Sequence, residues 1–311
     1  MEVRTPALTV RRLRSVGDMA ELYRGERTGD PFYWFEFLEG TPPGMTRREK
    51  WVIMVSTQFG CAVNCLMCDA GGEGYHGNLT GEELLAQIRL SLSFHPEIRP
   101  DEAAKIKVRF TRMGEPSLNP AVLECLGHLG RSTLLPGLLP SVSSVAPKSP
   151  RCADFFAKLA ALKDRYFSGG RFQLQFSVHS TDEDARRALV PVRKWSLEDI
   201  AAFGRDWVRP GDRRITLNFA LGRDVPLDPA VLERVFSPER FLMKLSPIHP
   251  TRRSEEHGLT RSWFQDAPER VAILKRDLER RGLLCILGQS WPEEVACAGS
   301  CGQMGGGIIV E

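Results

Sequence analysis

Three cysteines within eight residues, Cys61, Cys65 and Cys68, constrain this chain more than any other feature of it. Three residues separate the first pair and two the second. Thiolates at such spacing, on a loop that can curl round a small object, are natural ligands for iron in a cluster. Three ligands are one short of the four that a closed 4Fe–4S site takes, so one iron would stay open to bind a substrate and to hand over electrons. A structural zinc site takes four nitrogen or sulfur ligands and usually recruits a second close pair. No such pair follows: the other cysteines stand at 125, 152, 285, 297 and 301, and the nearest imidazole is His76. Plain packing of buried cysteines fits poorly with three thiols crowded into one loop.

The remaining composition excludes little and suggests a compartment. A chain of 311 residues suits one large α/β domain, or a domain with a short extension. Its 42% hydrophobic and 26% charged residues are ordinary for a soluble globular protein, and a net charge of +3 carries no nucleic-acid signature. No apolar run reaches the roughly 18 residues of a membrane span. Residues 1–23 are interrupted by Arg4, Arg11, Arg12, Arg14, Asp18 and Glu21, unlike a signal peptide. Eight cysteines distributed in this way suit a reducing cytoplasm better than a disulfide framework.

Residues 1–50 show no clear repeating unit and read as an N-terminal extension leaning on the core, with one aromatic strand at residues 31–38. From Trp51 strand and helix alternate. Residues 51–55 form a short apolar strand that feeds the cysteine loop, and Thr80-Gly81-Glu82-Glu83 has the form of a capping box. Residues 106–110 alternate apolar with basic, and Phe172, Leu174, Phe176 and Val178 alternate strictly, as strands do. Further strands are expected at 138–145, 215–221, 241–245 and 283–287, with helices between them. Six strands each followed by a helix imply a parallel sheet with helices outside, and right-handed crossovers could curl it into part of a barrel. The last residues, from Ala296 onward, are too glycine-rich for a helix and suit a mobile loop.

The cysteine spacing is that of the radical S-adenosylmethionine (SAM) enzymes, and the likeness continues through the chain. Residues 56–61, Asn78-Leu79-Thr80, Arg112-Met113-Gly114-Glu115-Pro116, residues 141–147, Ser177-Val178-His179, Pro247-Ile248-His249-Pro250 and Ser300-Cys301-Gly302-Gln303 follow in order. In this the sequence resembles the RlmN/Cfr-type (class A) methyl synthases, which methylate an adenine carbon of RNA. The resemblance implies an α/β fold, a partial (β/α)6 barrel over 51–287, with the extension 1–50 before it. A glycine-rich tail over 288–311 would fold across the barrel mouth. It implies a 4Fe–4S cluster on Cys61, Cys65 and Cys68, and SAM as the second cofactor.

By the same resemblance Gly114 and Glu115 would take the amine end of SAM, and Ser141, Ser143 and Ser177 its carboxylate or ribose. His249 stands where the family has an asparagine that touches SAM. His179, at a strand end, is more often a satisfied histidine than a site residue. The cysteine matching Cys301 is methylated by one SAM in the family, and a radical made from a second SAM activates that methyl group for addition to an electrophilic carbon. One departure is evident: the family's resolving cysteine, seven residues before the first cluster cysteine, is here Met54. A thioether is neither base nor thiolate. Cys297, four residues from Cys301, is the candidate replacement.

The expected function is methylation of an sp2 carbon of a small molecule or nucleoside through Cys301. Two alternatives remain. One is hydrogen abstraction without methylation, for epimerisation or rearrangement, with Cys301 or Cys297 as hydrogen donor. The other is an RNA adenine methyl synthase, for which Lys105, Lys107, Arg109, Arg112, Arg171, Arg186, Arg187, Arg193 and Lys194 could form a phosphate-facing stripe. The resemblance also implies an electron donor such as flavodoxin or ferredoxin. A monomeric cytoplasmic protein with no membrane partner completes the expectation.

Overall fold

The computed structural model describes residues 2–288 and 290–305. The end of the glycine-rich tail, residues 306–311, lies outside the described residues. An antiparallel meander opens the chain: β1 (Glu2–Arg4), β2 (Leu8–Val16), β3 (Ala20–Arg27) and β4 (Asp30–Gly40). Then come β5 (Trp51–Val55) and a small hairpin, β6 (Gln58–Gly60) with β7 (Tyr75–Asn78). The parallel strands follow: β8 (Ile106–Phe110), β9 (Leu138–Ser144), β10 (Gln173–Ser177), β11 (Ile215–Leu221), β12 (Phe241–Pro247) and β13 (Cys285–Leu287). Among the described residues they make one sheet in the order β1-β2-β3-β4-β5-β8-β9-β10-β11-β12-β13.

From β5 to β13 every neighbouring pair is parallel, which requires a crossover each time. Helices supply the crossovers. Gly81–Ser93 starts on the Thr80 capping box, whose hydroxyl accepts from Glu83 N while the Glu83 carboxylate accepts from Thr80 N. Pro150–Tyr166 starts on Ser149 with proline in its first turn, where the missing N–H has no partner to lose. The helices cover the apolar face of each strand. Ile106, Val108 and Phe110 are fully buried, as are Leu217, Phe219 and Met243. Each such side chain contributes roughly 1.5–3 kcal/mol through removal from water. The other face of these strands turns inward, and on β8, β10, β11 and β12 that inner face is largely polar: Lys107, Arg109, Gln173, Gln175, Ser177, Thr216, Asn218, Lys244 and Ser246.

The parallel part matches the sequence reading closely, but residues 1–50 do not. They continue the main sheet, because β4 pairs antiparallel with β5 through Leu38↔Met54, Glu39↔Ile53 and Gly40↔Val52. Leu8, Val10, Tyr23, Phe35 and Phe37 belong to the same hydrophobic core as the barrel helices. β2 and β3 escape sequence analysis because their solvated faces carry Arg11, Arg12, Arg14, Arg24 and Glu26, a pattern that reads as charged coil. The tail also differs in one respect: Pro292–Ala296 is a short helix before the glycine-rich residues. No helix among the described residues is long and apolar enough to cross a membrane.

Candidate active site

The cysteine loop sits just beyond the C-terminal end of β5, where the β6–β7 hairpin closes its base. Cys61 N donates to Gly74 O (2.8 Å), and Gly60 adopts φ +72°. A Cβ on Gly60 would lie 1.7 Å from Gly74 O, so only glycine closes this loop. Further along, Leu66 N donates to Leu189 O (2.9 Å) and Thr251 Oγ1 to Met67 O (3.2 Å). The loop is thus fixed by elements from three parts of the chain.

Cys61, Cys65 and Cys68 all face one cavity of about 270 Å³, close to the lower bound of about 300 Å³ for small-molecule sites. Burial pushes the Cys68 thiol up to about 12, with help from the nearby Cys61 and Cys301 sulfurs, and burial raises Cys61 and Cys65 too. Thiolates form here only where a metal cation offsets that cost. A single zinc would draw its sulfurs to about 4 Å of one another, from Zn–S bonds of roughly 2.3 Å. The loop sulfurs are more widely spread: among the described residues, the group whose donor atoms all lie within 4.8 Å is Glu21, Glu39 and His95. That group is already satisfied, because Glu39 accepts from Arg47 Nε and Nη2 (2.7 Å each), Trp51 Nε1 (2.7 Å) and His95 Nε2 (3.0 Å).

Beside the loop lies the turn after β8. Gly114 adopts φ +96°, and a Cβ there would come within 2.6–2.7 Å of Gln58 Cβ, Cγ and N. Gly114→Ala is therefore expected to destabilise the protein by about 2 kcal/mol or more, as read from urea unfolding. Glu115 faces the cavity, yet both its oxygens are engaged. Oε1 accepts from Ser117 N (3.0 Å) and Ser117 Oγ (2.7 Å), and Oε2 from Val145 N (2.9 Å). Its first task is to tie the turn to the end of β9, leaving spare lone pairs for a ligand amine.

Of the other expected residues, Ser143, Ser177 and His249 line the cavity. His249 Nε2 and Ser290 Oγ lie 3.1 Å apart. Three expectations need correction. Ser141 is buried on β9 and does not line the cavity. His179 is buried outside the cavity, with Nδ1 accepting from Ala220 N (3.4 Å), and burial pushes its pKa down to about 4. It is a neutral strand-end histidine. Cys297 is fully buried in a small apolar cluster with Ala20, Leu22, Leu38, Met54 and Ala298, away from the cavity lining, and burial pushes its thiol up to about 11. It is placed neither to donate hydrogen nor to attack an adduct.

Cys301 is different. It is exposed and lines the cavity together with the three loop cysteines. Asp69 N donates to Gly302 O (2.9 Å), and Gly302, at φ +84°, leaves no room for a Cβ, which would meet Met67 O at 2.7 Å. The tail is therefore docked on the cysteine loop itself. Behind it, Arg112 Nη1 donates to Ala298 O (2.6 Å) and Nη2 to Glu36 Oε2 (2.5 Å), which also accepts from Gly305 N (3.1 Å). Ser300 Oγ, buried in the cavity wall, has no hydrogen-bond partner among the described residues, a hydroxyl left over for a ligand.

Residues that sequence reasoning assigned elsewhere also enter the site. The basic stripe is interrupted: Arg112 is buried on Glu36 and Arg186 is fully buried against Trp195 O and Glu183, while Arg171, Arg187 and Arg193 stay exposed. Arg109 lines the cavity, joined by Lys244, Gln175, Asn218 and Glu294. The alternation of residues 106–110 carried this signal, since a barrel strand turns its apolar face to the helices and its polar face to the lumen.

No family model matches the chain. It is 29% identical over 272 residues to the dual-specificity RNA methyltransferase RlmN of Sorangium cellulosum, covering 84% of this chain and 63% of that protein. It is 33% identical over 180 residues to a probable RlmN of Desulfitobacterium hafniense, covering 56% of this chain and 46% of that one. A crystal structure of a radical SAM methyltransferase from Sphaerobacter thermophilus superposes on 96% of this chain and 81% of its own with a TM-score of 0.72, at 21% identity. The chain is similar in sequence to RlmN-type RNA methyltransferases and in fold to a radical SAM methyltransferase. It spans only about half to two thirds of the length of these RlmN relatives. Radical SAM proteins of this kind use a 4Fe–4S cluster and SAM, and the RlmN-like loop has the donor set for the first. Its three soft thiolates, one short of a closed site, would hold a cluster with one iron free for a ligand, in a cavity that Gly114, Ser300 and His249 also line.

Proposed function

We propose that this chain is a radical SAM enzyme that methylates an sp2 carbon of a small molecule or nucleoside, with Cys301 as the methyl carrier. One observation supports this above the others: Cys301, in the last residues described, shares a cavity with Cys61, Cys65 and Cys68 and is docked on their loop through Gly302. When bound, the 4Fe–4S cluster and SAM supply the electron and the adenosyl radical that make an inert C–H bond reactive. The residues around them do the rest. Cys61, Cys65 and Cys68 hold the cluster. Gly114 lets backbone approach closely, and Ser143, Ser177, His249 and Ser300 offer hydroxyl and imidazole groups to SAM. Burial and Lys244 lower the pKa of His249, so at neutral pH it meets the ligand as an uncharged imidazole with one donor and one acceptor. The Cys301 sulfur would take a methyl group from one SAM, releasing S-adenosylhomocysteine, and present the thioether to the lumen, while Arg112 holds the tail in place.

A cavity of this size, with Arg109, Arg112 and Lys244 turned into it, favours a compact substrate over an RNA stem. The position of the missing resolving cysteine belongs to Met54, which lines the cavity and meets Arg109 Nη1 at 3.8 Å through its sulfur. With Cys297 outside the cavity, release of any covalent adduct does not rest on a second thiol from the tail. Peptide mass spectrometry of anaerobically reconstituted enzyme incubated with SAM tests the reading. S-methylcysteine at Cys301, with both 5′-deoxyadenosine and S-adenosylhomocysteine formed, is the expected result. Unmodified Cys301 with 5′-deoxyadenosine alone would replace methylation by hydrogen abstraction.

A further inference from the structure

The lumen carries positive charge that the proposed methyl transfer does not use. On β8, Lys107 and Arg109 alternate with the buried Ile106, Val108 and Phe110; on β12, Lys244 lies between the buried Met243 and Leu245. Arg109 and Lys244 line the same cavity as Cys301. Lys107 lies one inward position before Arg109 on the strand. It lines a second cavity of about 190 Å³, which shares Met54, Arg109 and Glu294 with the first.

No ion pair among the described residues neutralises these cations. None of the three has a carboxylate within salt-bridge distance, and the hydrogen bond recorded for Arg109 is the contact to the Met54 sulfur. Glu294 is the carboxylate that faces both cavities, and it feels Arg109 and Lys244 without an ion pair to either. The cations disturb one another instead. Burial pushes the Lys107 pKa down to about 7, and Arg109, Lys50, Lys105 and Lys244 add to the effect. Lys244 is lowered by burial and by Arg109, and is partly supported by the Cys301 sulfur and Glu294. Like charges gathered in a partly dry lumen are costly. Serine or glutamine, as on β10, would line the lumen without that cost. A guanidinium fork beside an ammonium is the arrangement that receives a group with several anionic oxygens.

We propose that Arg109 and Lys244 form the binding site for an anionic group, a carboxylate or a phosphate, on the substrate of this enzyme. This rests on the reading of the cavity as a substrate site, and it narrows the substrate to a small acidic molecule anchored in the cavity that the cysteine loop also lines. Asn218, Gln175 and Ser177 would complete the polar wall.

The test uses the full chain, anaerobically purified with its cluster, and two probes, inorganic phosphate and succinate, titrated by calorimetry. We expect at least one probe to bind, and Arg109→Gln or Lys244→Gln to weaken it by about tenfold or more, as loss of one charge-assisted partner does. SAM affinity should stay within about twofold of the wild type, and Lys148→Gln, at an exposed pair with Asp199, should change neither. Tighter binding of phosphate assigns a phosphorylated substrate, and tighter binding of succinate a carboxylic acid. Failure of both probes to bind overturns the proposal. So does binding that is unaffected in both variants, or SAM affinity that falls in step with the probe, which would give the cations to the cofactor. If the glutamine variants do not fold, acetic anhydride labelling of Lys244 in the wild type decides: protection by the better probe is expected, and unchanged labelling overturns the site. The outcome separates from that of methyl transfer. Methylated Cys301 without probe binding removes the anion site alone, whereas probe binding with unmodified Cys301 removes methyl transfer alone.

Discussion

Alanine at Cys61, Cys65 or Cys68 leaves a protein that folds but stays colourless after anaerobic treatment with iron and sulfide. The three thiols are the soft ligands that face the cavity from one loop, and Cys125, Cys152, Cys285 and Cys297 are buried elsewhere. With two ligands the cluster has no secure seat, so SAM cleavage falls to background. Cys301→Ala is the informative contrast. Cys301 lines the same cavity but comes from the tail and not from the cysteine loop, so this variant keeps its iron and its visible absorption and still cleaves SAM, but forms no methylated tail peptide. Iron content, the absorption spectrum and nucleoside products measured on both variants distinguish ligand from carrier. If Cys301→Ala also lost the cluster, the tail cysteine would be a fourth ligand and could not carry a methyl group.

Arg112→Ala has the second largest expected effect, this time on stability and on the tail. Glu36 is fully buried, and its Oε2 accepts from both Arg112 and Gly305 N. Removal of the guanidinium leaves a buried carboxylate with no counter-charge, which costs about 3–5 kcal/mol. It also frees Ala298 O, so the segment around Cys301 loses one anchor directly, and the Glu36 carboxylate that holds Gly305 N loses its counter-charge. A lower urea midpoint and faster proteolysis after residue 296 should appear together. Glu36→Gln keeps an acceptor for Gly305 N, but now strands the guanidinium, so it should fall between wild type and Arg112→Ala. An Arg112→Ala protein as stable as the wild type would remove the latch from the account.

Much of this could be read from the residues because local signals agreed with one another. The Thr80 capping box, the strict alternation from Phe172 to Val178 and the spacing of the loop cysteines each specify one geometry. The N-terminal meander could not be read, because in β2 and β3 arginines occupy the solvated face and only pairing with β4 decides that these are strands. Sidedness was the second gap. Ile106-Lys107-Val108-Arg109-Phe110 announces a strand with one basic face, but whether that face meets water or a lumen depends on barrel closure, a property of six strands together. Cys297 shows the third. It is near Cys301 in sequence, yet Ala298, at φ +52°, reverses the chain between them and sends the two thiols to different surroundings.

The link between Glu36 and Gly305 joins residues 269 positions apart. Closing a contact of that span is entropically expensive until the intervening barrel already holds its ends close. The segment bearing Cys301 therefore settles last, after the meander and barrel have assembled. A half-made or partly melted molecule could keep its cysteine loop and still lack its carrier, so ability to bind iron and ability to methylate would be lost at different temperatures.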